Sequence, residues 1–236
     1  MQTIIHKADS RGHADYGWLN THYTFSFANY YDPARVHFGT LRVLNDDRID
    51  AGMGFDRHPH DNMEIVTIPL KGMLEHKDSM DNTMLIKSGD VQIMSAGTGI
   101  FHSEYNPDPD HELQLLQIWV YPKLKNIKPR YDQKTYDPAG RKNQWQRVVS
   151  PVESGAVWIN QDAWFSLLNL DKDTTIEYLL QKSGNGIYVF MIEGSSAVSG
   201  VQLDSRDGAG FWETPSITFS ALENSEILVM EIPMHV

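Results

Sequence analysis

The 236-residue chain contains no cysteine, which excludes disulfides, thiolate metal ligands and cysteine nucleophiles. It has no apolar run approaching the roughly 18 residues of a membrane-spanning helix. The longest such run, Leu113–Tyr121, is far shorter. The first ten residues lack the long apolar block of a secretory signal, so a cytoplasmic location without membrane association is the expectation. Positive charge is scarce as well. Twenty Lys and Arg stand against 31 Asp and Glu, a net charge of −11. That balance repels phosphate backbones and anionic bilayers and argues against direct nucleic-acid binding. No Gly-x-Ser-x-Gly motif surrounds Ser150 or Ser166, which sets aside serine-hydrolase chemistry. Long, clean helical periodicity is absent throughout.

What is present reads as β structure. Short runs rich in Val, Ile, Thr and aromatic residues alternate with Gly, Asp, Asn and Pro, the pattern of a sandwich or barrel rather than of βαβ units. Strands are expected around Thr40–Leu44, Glu64–Leu70, Met73–Lys77, Val91–Met94 and Leu113–Tyr121. A second set is expected around 157–160, 164–170, 175–180, 187–192, 216–220 and 226–232. An internal repeat is visible: Glu64 to Gly72 followed by Ser88-Gly89-Asp90 resembles Ile187 to Gly194 followed by Arg206-Asp207-Gly208, at nearly the same offset. The expected architecture is all-β, two stacked β-barrels. Residues 1–125 form the first, 126–150 a connector with room for short helical turns, and 151–236 the second. Tyr121–Pro151 holds eight Lys and Arg against Asp132 and Asp137. A solvated connector is the plain reading of that segment, and a docking patch for an acidic partner the sharper one.

Nine of the ten histidines precede residue 112, and none lies between 112 and 234. His58-Pro-His60 and His102-Ser-Glu104 stand out, because residues two apart on a strand share a face. Two such strands side by side would present three imidazoles and one carboxylate to one point. That set suits a first-row divalent cation and leaves coordination positions free for substrate or dioxygen. A histidine-based centre in the second half is excluded, so that half reads as a degenerate barrel kept for packing.

The glycines around these pairs carry a resemblance. Gly52-x5-His58-x-His60-x3-Glu64, with Gly72 beyond, is similar to the first cupin motif, and Gly99-x2-His102-x3-Asn106 to the end of the second. Gly97 replaces the usual proline and the gap from Gly89 is longer, departures that resemble the pirin branch of the cupins, as does Glu104. Arg11 to Trp18, Thr24 to Asp32, Arg42 to Asp46, Glu75 to Ser79 and Met94 to Glu104 extend the likeness over about residues 6–122. The resemblance implies a bicupin of two double-stranded β-helix domains. It also implies a mononuclear divalent metal, usually iron, in the first domain, held by His58, His60, His102 and Glu104. Ordinary cupins would use Glu64 in place of Glu104, and strand parity puts Glu64 on the His58/His60 face if the strand runs unbroken. The pirin pattern leaves Glu64 nearby as an acceptor for an imidazole N–H.

The resemblance further implies the activity of the bacterial pirin-like quercetin 2,3-dioxygenases: a flavonol substrate, dioxygen, opening of the heterocycle and release of carbon monoxide, with Glu104 as base or hydrogen-bond acceptor. A second reading is an iron-containing regulatory protein that contacts a transcription factor or metabolic enzyme. A third, a sugar-phosphate isomerase, needs cations aimed into the site, and Arg57 is turned to the opposite face. His76 is expected to be satisfied by a neighbour rather than to serve as a fifth ligand. His13, His22, His37 and His111 read as structural or solvated, and His6 and His235 as terminal and frayed. Tyr23, Phe25, Phe27, Tyr30 and Tyr31 read as core residues or as the wall of a planar pocket. Ser95 to Gly99 reads as a backbone corner beside the metal.

Overall fold

The computed structural model describes residues 1–152 and 155–235. Glu153, Ser154 and Val236, all within the expected second domain, lie outside the described residues. Strands β1 (Gln2–His6), β2 (Gly12–Asp15) and β3 (Leu19–Tyr23) open the chain, and β4 (Leu41–Ile49) follows a long loop. Then come β5 (Gly54–His60), β6 (Glu64–Lys71), β7 (Met73–Asp78), β8 (Thr83–Lys87), β9 (Asp90–Ser95), β10 (Ile100–Tyr105) and β11 (Leu113–Val120). The connecting segment holds β12 (Arg130–Thr135), a short 3-10 turn at Pro138–Arg141, and β13 (Gln146–Ser150). The second half runs through β14 (Val157–Trp158), β15 (Trp164–Leu170), β16 (Thr175–Leu179), β17 (Asn185–Glu193) and β18 (Ser195–Val198). It ends with β19 (Val201–Asp204), β20 (Gly208–Trp212), β21 (Ser216–Ala221) and β22 (Ser225–Pro233). No α-helix occurs among the described residues.

Each half pairs a seven-stranded sheet with a four-stranded one. The first half has β12-β9-β6-β11-β4-β3-β2 and β5-β10-β7-β8; the second has β1-β20-β17-β22-β15-β13-β14 and β16-β21-β18-β19. The two halves therefore repeat one topology, and the sequence repeat falls on matching strands: β6-Gly72-β7 corresponds to β17-Gly194-β18. Both glycines sit at positive φ, +79° and +88°, a conformation that favours glycine at a tight hairpin. The expected domain boundaries differ from this pairing at three points, one of them β13, which falls in the expected connector and pairs with β15 of the second half. β1, at the start of the chain, is hydrogen-bonded to β20 in the second sheet, and β12, from the expected connector, pairs with β9 in the first. Each half lends an outer strand to the other's sheet or receives one from the linking segment.

The two large sheets pack against each other through one apolar layer. On β11, Leu116, Ile118 and Val120 enter this layer, together with Phe165, Phe190, Leu228 and Met230 of the second half. The alternate residues Leu115, Gln117 and Trp119 point into the first barrel. Both faces of β11 are covered, which explains its nearly continuous apolar sequence. Each fully buried Leu, Ile or Phe in the shared layer contributes about 1.5–3 kcal/mol. His6 is buried at the end of β1, with Nδ1 2.7 Å from the Tyr188 hydroxyl. The expectation of a frayed terminal histidine is therefore corrected: strand pairing with β20 holds it in place. The basic segment is bound to its own chain at five of its eight cations. Lys123 bonds Asp162, Arg130 bonds the Trp158 carbonyl, Lys134 the Gly155 and Ala156 carbonyls, and Arg147 Gln181, while Lys142 lies 3.6 Å from Asp171.

Candidate metal centre

The four-stranded sheet of the first barrel brings the motif pairs together. β5 and β10 are antiparallel neighbours, with His102 directly opposite His58 and Ile100 opposite His60. Between His102 and Glu104 the register shifts, so that Glu104 faces Phe55. Two residues of β5, Asp56 and Arg57, are thus spanned by one of β10, a bulge that re-aims the strand beside the site. Directly opposed side chains on one face lie close, and the three imidazoles gather accordingly. Ring centroids of His58 and His102 are 4.4 Å apart, with His60 4.9 Å from each.

The donor atoms of His58, His60 and His102 lie within 4.8 Å of one another, as do those of His76, His102 and Glu104. His102 belongs to both groups. Its Nε2 is buried without a hydrogen-bond partner. Burial, reinforced by the neighbouring imidazoles, lowers His102 to about 2, and burial with the charge of His58 lowers His60 to about 4. Both rings are therefore neutral and hold a lone pair for a cation at neutral pH. Glu104 is buried, and burial raises it to about 7, helped by the charge of Asp47 and opposed by a 2.8 Å hydrogen bond from Gln117 Nε2. An orphaned imidazole nitrogen, neutral rings and a buried carboxyl that would be stabilised by a positive charge all fit a divalent metal. His58, His60, His102 and Glu104 are the residues that could hold it.

His76 lies opposite Glu104 on β7. Its Nε2 is 3.2 Å from Asp78 Oδ2 and its Nδ1 3.4 Å from His102 Nδ1. It has a satisfying neighbour, as expected, and it also touches a candidate ligand. Asp78 receives further hydrogen bonds from Met80, Asn82 and the Asn82 amide. Burial acts to raise Asp78, but these bonds and the one to His76 outweigh it and hold the carboxyl below its ordinary value. The expected strand Met73–Lys77 held His76 but stopped one residue short of Asp78, which the observed β7 includes.

Glu64 is elsewhere. The chain leaves β5 after His60, turns through Asn62 at φ +44°, and enters β6 in the other sheet. Parity does not carry across that corner. Glu64 Oε2 accepts 2.8 Å from Ser95 Oγ and 3.1 Å from the Asn160 backbone N–H of the second half. Its hydrogen bonds link the two barrels, so the expectation that it accepts from an imidazole is corrected.

His58, His60 and Glu104 open onto a cavity of about 370 Å³. Trp18, Tyr23, Phe27, Phe55 and Trp119 line it, with Asn45, Asp47 and Gln117 among its polar groups and no Lys or Arg among the described residues. Trp119 meets His60 edge-on at 4.9 Å, and Phe27 meets Trp119 edge-on at 5.3 Å. Of the five aromatics read as core or pocket wall, Tyr23 and Phe27 are wall, Phe25 is core between the barrels, Tyr30 is half-buried beside Tyr23 and Tyr31 is exposed. Arg57 points away, its guanidinium 4.6 Å over the exposed Phe101 ring, which leaves the cavity without a phosphate-binding cation. Ser95 to Gly99 forms the corner between β9 and β10, with Gly97 at φ +50° and its Cβ position 2.1 Å from the Ile127 carbonyl oxygen. Asp47, Asn45 and Gln117 were missed in the sequence, where nothing distinguishes them from other polar residues in β strands.

Residues 5–120 match the family described as Pirin, and residues 147–232 match the quercetinase C-terminal cupin domain. A quercetin 2,3-dioxygenase of Escherichia coli is 42% identical over 230 residues, covering 97% of this chain and 98% of that protein. The chain belongs to the pirin family. Among its pirin relatives is a putative quercetin 2,3-dioxygenase of Pseudomonas aeruginosa, 42% identical, covering 95% of this chain and 97% of that one. A bacterial pirin from Escherichia coli, solved in complex with nickel(II), superposes with a TM-score of 0.93 at 40% identity, covering 98% and 99% of the two chains. Both barrels of this pirin are cupin domains, as the repeated topology requires.

Proposed function

We propose that this pirin is a metal-dependent dioxygenase that opens the heterocycle of a flavonol such as quercetin and releases carbon monoxide. One observation supports the reading: His58, His60 and His102 gather in one group, His102 shares a second group with the buried Glu104, and His58, His60 and Glu104 open onto a mostly aromatic cavity with no Lys or Arg among its described lining residues. The names of relatives 42% identical over nearly the whole chain support it. His58, His60, His102 and Glu104 hold one divalent metal, iron by family resemblance. When bound, such an ion supplies Lewis acidity toward the substrate's ring oxygens and a path for electrons to dioxygen.

The chain's own residues do the rest. Glu104 accepts the proton of the flavonol 3-hydroxyl or a hydrogen bond from it, as the family resemblance implies. Gln117 holds its Oε2 and so fixes which oxygen is free. Trp119, Phe27 and Tyr23 flank a planar ring system and exclude water from it. The test is elemental analysis of the purified protein combined with oxygen uptake and carbon monoxide release on quercetin. One metal per chain and oxygen uptake in step with quercetin loss are expected. Full turnover by metal-free protein would overturn the reading.

A further inference from the structure

Two acceptor groups in the cavity take no part in the chemistry just described. Asn45 and Asp47 lie two residues apart on β4 and therefore on one face, and both are buried at 3% exposure. Asn45 stands opposite Gln117 on β11, the residue that holds Glu104, and Asp47 stands opposite Leu115. Further along the same face Ile49 enters an apolar cluster with Leu19 and Leu115, so the polar pair is confined to the level of the cavity. Asn45 Oδ1 is closed off from solvent and has no hydrogen-bond partner among the described residues. Asp47 Oδ1 accepts from the Thr21 hydroxyl at 2.5 Å, which uses one of about four acceptor positions of a carboxylate.

A buried amide oxygen without a donor costs about 1–3 kcal/mol, and a buried carboxyl served by one hydroxyl is costly as well. Both line a cavity whose walls are Trp18, Phe55, Tyr23 and Phe27. A molecule that gives Asp47 a second donor brings hydroxyl groups on an aromatic frame. It carries no carboxylate or phosphate beyond the metal site, because no Lys or Arg is among the described lining residues and two carboxyls are.

We propose that Asp47 and Asn45 form a hydroxyl-recognition subsite, which takes ring hydroxyls of a polyphenol other than those engaged at the imidazole cluster. The inference rests on the flavonol reading and deepens it: the substrate class is narrowed from flavonols in general to those with additional ring hydroxyls. Asp47 is a specificity residue in this account, and its removal changes which flavonol binds rather than whether metal binds.

The experiment measures binding of quercetin and of 3-hydroxyflavone to the metal-loaded protein by anaerobic tryptophan-fluorescence quenching. The second probe keeps the 3-hydroxyl and ketone but has no other ring hydroxyl. Wild-type protein is expected to prefer quercetin by about fivefold or more, the size of one net hydrogen bond. Asp47→Asn should bring the two affinities together, chiefly by weakening quercetin, with metal content unchanged. Asn45→Ala should move the ratio in the same direction, which keeps the test available if Asp47→Asn does not fold. Equal affinities in the wild type, or a preference that survives both substitutions, would overturn the subsite. A preference for quercetin without oxygen uptake would instead remove the dioxygenase reading and leave the subsite standing.

Discussion

His102 and His76 face each other through their Nδ1 atoms at 3.4 Å, while His76 Nε2 lies 3.2 Å from Asp78. This chain assigns the tautomers. Asp78, held ionised by its donors, accepts from His76 Nε2–H. His76 Nδ1 then carries a lone pair and accepts from His102 Nδ1–H. The lone pair of His102 is left on Nε2, the atom without a partner in the protein. An outer hydrogen bond of this kind fixes both the tautomer and the ring orientation of a ligand histidine.

Asp78→Asn and His76→Phe should therefore weaken metal binding by about 10–100-fold, the usual effect of losing such a partner. Chelator competition on the purified protein checks this. The loss should appear without any change in quercetin affinity per metal-loaded chain.

His102→Ala should have a larger effect. It deletes the donor shared by both three-residue groups, so metal content should fall below one atom in about ten chains after dialysis, on the scale of a lost ligand against a lost outer partner. Flavonol consumption should vanish with it. Metal retained at wild-type level would show that the ligand set lies elsewhere.

Glu64 should make the contact between the barrels pH-dependent. Burial raises its carboxyl from 4.5 to about 7, against the bonds from Ser95 and Asn160. A folded-state value above the unfolded one means that the folded state retains the proton longer. The contribution is fully present below about pH 4.5 and is lost as pH rises through about 7. Relative to wild type, Glu64→Gln should gain stability over that window by up to about 3 kcal/mol. Urea unfolding at pH 5 and pH 8 measures the difference. An unchanged difference between the two pH values would count against it.

His6 acts in the opposite direction. Burial lowers it from 6.5 to about 4, with the charge of Arg35 adding to the effect and that of Asp32 opposing it. Its contribution to stability is present above pH 6.5 and is lost as pH falls toward 4. His6→Asn keeps a partner for the Tyr188 hydroxyl but cannot take up a proton. The variant should lose up to about 3 kcal/mol less than wild type across that range, read from denaturant midpoints at matched pH.

Short-range regularities made much of this protein legible in one dimension. Runs rich in Val, Ile, Thr and aromatic residues marked β6, β7, β11, β15, β17 and β22, because a strand buried on one or both faces writes its pattern into consecutive residues. The pairs His58/His60 and His102/Glu104 were visible for the same reason, since period two is a local property. The repeat of Gly72 in Gly194 reported that two halves share a topology. The lack of histidine after residue 111, apart from His235, left the first barrel as the place for an imidazole-based site.

Tertiary structure decided what depended on pairing between distant segments. Only the register of β5 against β10 sets His102 across from His58, and only the bulge at Asp56 and Arg57 brings Phe55 level with Glu104. The corner after His60 carried Glu64 out of the site and into the contact between barrels, where no count of alternating residues could have placed it. Asp47, Asn45 and Gln117 acquired their roles because β4 and β11 lie beside each other, and β1 joined the far sheet through a pairing some two hundred residues away. Side-chain direction along one strand is a matter of backbone geometry. Which strands become neighbours, and in what register, is settled by the packing of the whole chain.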